Sequence, residues 1–165
     1  MYKDVPYNKY IQEVYEYLPG GLFLTTCAEK VNTMVVGWGG INICWGKPVF
    51  LVPVRKSRYT YELLEQSGEF TISIPVNKDL RKALAFCGTK SGRNYDKFKE
   101  CGLTAIPGRI VKTPIIGDCT LHYECKVVYK QELISDNLNK EINNMYYPDY
   151  HTFYFGEILA CYLID

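Results

Sequence analysis

Nowhere in this sequence of 165 residues is there an apolar run near the ~18 residues that a membrane-spanning helix requires. No G-x-G-x-x-G follows a strand into a helix, so the dinucleotide fingerprint is missing, and no G-x-x-x-x-G-K-[ST] loop is present either. The seven cysteines (Cys27, Cys44, Cys87, Cys101, Cys119, Cys125 and Cys161) include no C-x-x-C pair. That spacing argues against a zinc site or a thioredoxin-type motif, and no metal is expected. An odd number of thiols reads as free cysteine in a reducing compartment. No apolar h-region opens the chain, so no export signal is read and the cytoplasm is the expected location. Charge of one sign is also scarce in excess: 19 basic and 18 acidic residues leave a net charge of +1. A nucleic-acid partner or a membrane surface would call for a basic surplus, so neither is expected. Repeats, low-complexity tracts and linkers are absent, and the length suits one domain spanning 1–165.

What the chain does have is tyrosine, 15 of them, and one stretch with an unusual order of parts: Val49–Gly68. Val49, Phe50, Leu51, Val52 and Val54 read as a strand. Arg55-Lys56-Ser57-Arg58 reads as a basic turn, and Tyr59 to Gln66 as a helix stopped by Gly68. A strand leading through cations into a helix start makes an anion site, because the first helical N–H groups have no internal partner. Ser57 is the expected N-cap, and the hydroxyls of Ser57 and Thr60 add donors. The stretch reads as a phosphate site; the commoner alternative for such a pattern is a capped surface helix with solvated cations.

Around it the pattern is β-rich. Asp4 and Pro6 mark the start of an amphipathic helix carrying Tyr7, Ile11, Val14, Tyr15 and Leu18, giving an N-terminal helical extension over 1–20. Leu22–Ala28 and Thr33–Val36 form a hairpin. Gly37-Trp38-Gly39-Gly40 follows, with three glycines that let a flat ligand approach backbone amides or else mark a barrel bulge. The next two strands complete a meander, with Pro53 at an edge or bulge. Phe70, Ile72 and Ile74 alternate with Thr71 and Ser73 as a half-buried strand. Asn77 caps a helix ending near Gly88. The segment Cys87–Phe98 is a small, polar, basic loop leading into a short helix stopped by Gly102. Thr120–Tyr129 alternates, with His122 on the solvent side. Leu133–Tyr150 is a polar loop with room for a short helix, and His151–Ile164 is a long buried strand. The sum is a mainly β fold with inserted helices, compatible with a small barrel.

Four segments in this order carry a resemblance: NTMVVGWGGIN (32–42), PVFLVPVRKSRYTYELLEQSGEFTISIP (48–75), FCGTKSGRNYDKFKECGLT (86–104) and HTFYFGEILA (151–160). Together they resemble the flavin reductase-like, FMN-binding split-barrel family, and within it the flavoredoxin-type members. The resemblance implies a split β-barrel, a homodimer and one FMN per subunit. Arg55, Ser57, Arg58, Tyr59 and Thr60 match the family segment that holds the phosphate and ribityl chain. Gly37, Trp38 and Gly39 match the part along the isoalloxazine. Gly88, Ser91 and Lys97 match a second loop closing over the phosphate. His151 is a candidate for a role at the flavin, and no other catalytic residue is assigned. The implied activity is an NAD(P)H-dependent flavin reductase, with NADH or NADPH as transient donor and a flavin, small molecule or protein as acceptor. The alternative it implies is an electron carrier whose FMN is reduced by a protein partner.

Overall fold

The computed structural model describes residues 1–165. Its frame is one antiparallel sheet. The strands are β1 (Tyr2–Asp4), β2 (Leu22–Cys27), β3 (Val31–Val36), β4 (Gly40–Cys44), β5 (Lys47–Arg55), β6 (Glu69–Ile74), β9 (Leu121–Glu132) and β10 (His151–Ile164), with β7 (Ala105–Ile106) and β8 (Ile115–Ile116) forming a separate pair. The order is β3-β2-β6-β9-β10-β5-β4, and β1 adds to β10. Five helices are inserted: α1 (Ile11–Tyr17), α2 (Tyr59–Ser67), α3 (Arg81–Thr89), α4 (Lys97–Cys101) and α5 (Lys140–Tyr146). This is the mainly β fold with inserted helices expected from the sequence.

Alternation builds the interior. Leu22 and Leu24, Phe50, Val52 and Val54, Phe70, Ile72 and Ile74, and Leu121, Tyr123 and Cys125 all turn into one buried cluster. Val14 and Leu18 from the N-terminal segment cover it. Burial of this kind is worth roughly 1.5–3 kcal/mol per large side chain before the entropy of ordering is counted.

Several expectations need correction. β3 and β4 do not form a meander; they lie at opposite ends of the strand order. The loop between them turns through Gly39 (φ 103°) and Gly40 (φ 124°) and delivers β4 to β5 instead. β3 still approaches β5, so the sheet curls toward closure without completing its ladder. Pro53 does sit at a local edge, past the last β4 partner pair, Gly40 with Leu51. The N-terminal extension is not all helix. Tyr2–Asp4 pairs with Tyr162–Ile164, and Asp4 forms an ion pair with Arg109 rather than capping a helix. Asn77 does not cap α3; it holds a left-handed turn (φ 58°) with its N–H on the Tyr17 hydroxyl, and the helix starts at Arg81.

The largest correction concerns the second face of β6 and β9, which is covered rather than solvated. The segment 105–120 lies over it. Thr71 Oγ1 donates to the Pro114 carbonyl (2.7 Å), and Ser73 Oγ accepts from the Ile116 amide (3.1 Å). His122 is therefore fully buried, between Ser73 Oγ (3.0 Å) and the Cys119 carbonyl (3.1 Å), and burial pushes its pKa down to about 4. Polar alternation misleads here because small hydroxyls and one imidazole can be satisfied within a second layer.

Glycine is required where β10 crosses β6 and β9. A Cβ on Gly156 would lie 2.3 Å from Phe70 Cζ and 2.9 Å from Cys125 Cβ, at a point where the β9–β10 register slips. Gly156→Ala is expected to lower stability by about 1–3 kcal/mol through overpacking. A urea unfolding curve with an unchanged midpoint would sink that expectation.

Candidate functional site

β5 ends at Arg55, a turn runs to Arg58, and α2 begins at Tyr59. This corner opens a cleft of about 390 Å³ against β3, the end of α3 and the 90–93 loop. Arg55, Arg58, Lys90, Arg93 and Lys97 line it, with Asp149 as its one acidic residue. The amides of Tyr59 and Thr60 have no backbone acceptor, as expected for the first turn of a helix. Ser57 is not the N-cap: Arg58 occupies that position, with no side-chain cap bond. The Ser57 hydroxyl turns instead to Asp149 Oδ2 (2.5 Å).

Most of the cations are held in place by carbonyls. Arg58 Nη1 donates to the Gly88 carbonyl (3.3 Å), and Arg93 Nη1 to that of Ser57 (2.9 Å) while pairing with Glu62. Lys97 is 5 % exposed; its ammonium donates to the carbonyls of Thr33 and Cys87, both at 2.8 Å. Burial lowers its pKa to about 8, with the Cys87 thiol opposing and Arg58 adding to the shift. It stays a cation at neutral pH, tying β3 to α3 at the floor of the cleft. Asn32 Nδ2 donates to Thr60 Oγ1 (2.9 Å), fixing β3 against the start of α2. Gly92 packs so closely on Asn32 that a Cβ would fall 2.0 Å from its Oδ1. These contacts fix the loop before any ligand arrives.

A second hollow of about 510 Å³ adjoins the first through Arg55. Trp38 forms one wall; Ile142, Tyr146 and Tyr147 form another, with His151 between. The Trp38 ring meets His151 edge-on at 5.0 Å. Burial, then the neighbouring Arg55 charge, pushes the His151 pKa down to about 4 against the pull of Asp149. The imidazole is neutral at pH 7, and its Nδ1 is bonded to the Tyr147 hydroxyl (2.9 Å). The amides of Gly37, Trp38 and Gly39 have no backbone acceptor.

The residues singled out from sequence fall into three groups. Arg55, Ser57, Arg58, Tyr59, Thr60, Ser91 and Lys97 line the cationic cleft. Gly37, Trp38 and His151 line a small third hollow together with Arg55 and Arg58, so it shares residues with both the cleft and the aromatic hollow. Gly88 and Gly39 line neither. Gly88 reaches the cleft through its carbonyl on Arg58. Gly39 is pressed onto β5, where a Cβ would lie 2.2 Å from the Leu51 carbonyl oxygen. Sequence reasoning missed Asn32, Arg93, Asp149 and Tyr147. Arg93 and Asn32 lie within stretches that had been singled out, so a search for polar partners there could have found them. Asp149 and Tyr147 lie in the polar 133–150 segment, which carries no local signal.

Comparison with known proteins gives a consistent result. The family described as "Flavin reductase like domain" matches residues 15–165. An uncharacterized protein of Archaeoglobus fulgidus is 31% identical over 134 residues, covering 79% of this chain and 64% of that protein. The flavoredoxin of Desulfovibrio vulgaris (Miyazaki F) superposes with a TM-score of 0.71 at 30% identity, covering 88% of this chain and 69% of that one. A flavoredoxin from Methanosarcina acetivorans gives 0.69 at 29%, with 88% and 68% covered. The chain spans about two thirds or less of the length of the curated relatives it matches.

Proposed function

This chain belongs to the flavin reductase like domain family, and from that premise we propose that it is a single-domain, homodimeric oxidoreductase that holds FMN and passes electrons through it. The observation that carries the reading is the joining of two unlike hollows at Arg55. One is rich in cations and unpaired helix-start amides, and the other is walled by aromatic rings. A phosphate monoester ending a polar chain suits the first, and a flat ring system suits the second.

Arg58, Arg55, Ser57 and the amides of Tyr59 and Thr60 would hold the phosphate, with Lys97 adding charge from below. Gly88 and Ser91 would keep the second loop closed on that end. Trp38 would offer an aromatic face, and the amides of Gly37, Trp38 and Gly39 would supply donors along the ring's polar edge. FMN, when bound, supplies the redox chemistry of the pair. The chain's part is to position that group and to stabilise added negative charge with fixed amides. His151, neutral and bonded to Tyr147, would donate from its free ring nitrogen only in the tautomer that protonates it.

NADH or NADPH is the proposed transient donor, and free flavin, a small molecule or a protein the acceptor. The likeness to two flavoredoxins supports a second reading, an electron carrier reduced by a partner protein. The homodimer is supported by an exposed apolar face on β4, β9 and β10, where Trp45 (65 % exposed) packs edge-on to Tyr129 and Phe155 with Ile43 nearby.

The deciding experiment is a visible absorbance spectrum of protein incubated with FMN, taken anaerobically before and after NADH and then NADPH. Prompt bleaching supports the reductase and identifies the donor. A bound flavin that stays oxidised supports the carrier. An FMN spectrum unperturbed by the protein overturns both.

A further inference from the structure

The cationic cleft already contains an anion. Asp149 is its one acidic lining residue, and its carboxylate engages a hydroxyl donor and a cation that a phosphate would need. Oδ2 accepts from Ser57 Oγ at 2.5 Å and lies 4.0 Å from Arg55 Nη1. The same guanidinium also donates to two carbonyls of the segment that carries Asp149: Nη1 to Asp149 (3.1 Å) and Nη2 to Tyr146 (3.2 Å). Its Cζ lies 5.6 Å from the centre of the Tyr147 ring. Arg55 and Ser57 therefore line the cleft while already engaged by the 146–149 segment.

That segment is tied together by its own side chains. Tyr147 and Tyr150 stack at 4.6 Å with an 11° interplanar angle, and the Tyr150 hydroxyl donates to Asn143 Oδ1 (2.6 Å). The unit is also the wall of the aromatic hollow, through Ile142, Tyr146 and Tyr147. A carboxylate and a phosphate monoester cannot share Ser57 without strong like-charge repulsion.

We propose that Asp149 is a built-in competitor for the cleft: in the free chain its carboxylate holds Ser57 and Arg55, and a phosphate monoester binds by displacing it and loosening the 140–149 wall of the aromatic hollow. The proposal rests on the reading of the cleft as a phosphate site. It makes occupancy at one end of the double hollow control access at the other, because Arg55 is shared. The two hollows are then coupled through one guanidinium and one carboxylate, a two-arrangement element of the kind that linkage requires.

The test uses the full chain with FMN and riboflavin, which differ by the phosphate alone. The Asp149 side chain is 39 % exposed and outside the core, so Asp149→Asn and Asp149→Ala are expected to fold. Both should bind FMN about tenfold more tightly than the unaltered chain, the scale of one charge-assisted hydrogen bond. Riboflavin affinity should stay within about twofold. Hydrogen exchange at 140–149 should quicken when the unaltered chain is saturated with FMN, and should already be fast in the variants without it. FMN affinity that is unchanged or weaker in both variants overturns the proposal, as does slower exchange at 140–149 on saturation. Failure of FMN to bind any of the three proteins overturns the flavin reading and this inference together, which separates the two failures.

Discussion

Replacing Glu124 with glutamine is expected to lower the stability of the folded chain by about 3 kcal/mol, the scale of breaking a buried, fully bonded charge. Glu124 is fully buried on β9, yet every lone-pair direction is in use. Oε1 accepts from the Tyr162 hydroxyl (2.6 Å) and the Arg109 amide (2.7 Å). Oε2 accepts from the amides of Ile110 (2.7 Å) and Val111 (2.8 Å). Glutamine would turn an NH₂ toward two of those donors. Burial alone would raise the Glu124 pKa; the Tyr162 hydroxyl and the three amides outweigh it and hold the pKa below the usual carboxylate value of 4.5. A depressed folded-state pKa contributes stability that is present above about pH 4.5 and is lost as pH falls through the folded value. The unaltered chain should therefore lose stability on acidification over that window, and the glutamine variant should lose less, since it has no such proton to take up. Thermal melts at neutral pH and in the pH 3–5 range measure both effects. Equal melting temperatures at neutral pH would dispose of the assignment.

Glu124 also shows where sequence reading stops. Alternation in LHYECKV correctly assigned Leu121, Tyr123 and Cys125 to the interior. It put His122 on the solvent side, whereas His122 and Glu124, on the same face of β9, are both buried. What reverses the inference is the 105–120 segment, whose three consecutive amides converge on one carboxylate. Nothing local to β9 records that distant partner. The basic corner was legible for the opposite reason: strand, cationic turn and helix start lie within one contiguous stretch, 49–68. Ser57 was assigned to the helix cap from local rules, and a carboxylate 92 residues away took it instead. The aromatic hollow was half legible. Trp38 and His151 were singled out, whereas Tyr146 and Tyr147 lie in a segment whose order depends on Arg55 and on stacking between tyrosines.

Arg58→Ala is expected to weaken FMN about 30-fold while changing riboflavin by less than about twofold. Arg58 is the residue before the first turn of α2 and lines the cleft, its guanidinium anchored by one bond to the Gly88 carbonyl. A charge-assisted bond to phosphate contributes roughly 1.5–3 kcal/mol, which corresponds to between tenfold and a hundredfold in affinity. Riboflavin lacks the phosphate and should not register the loss. Titration of both ligands by flavin fluorescence gives the answer, and equal weakening of the two would falsify the phosphate assignment. Arg58 makes a cleaner probe than Lys97. Removing the Lys97 ammonium leaves the carbonyls of Thr33 and Cys87 buried without a donor, so any change in affinity would be mixed with a loss of stability.

β10 has a consequence for how the chain reaches this structure. It pairs with β1, β5 and β9, and its partners include Arg55 with His151 and Tyr2 with Ile164. Contacts that far apart in sequence close large loops before they bring any return, which places folding toward the slow end for domains of this size. Until β10 docks, β5 and β9 each present an unpaired edge, and that of β5 is the apolar run Val49–Val54. A chain interrupted before His151 would carry both edges exposed and should self-associate by strand addition, without waiting for any ligand to be lost.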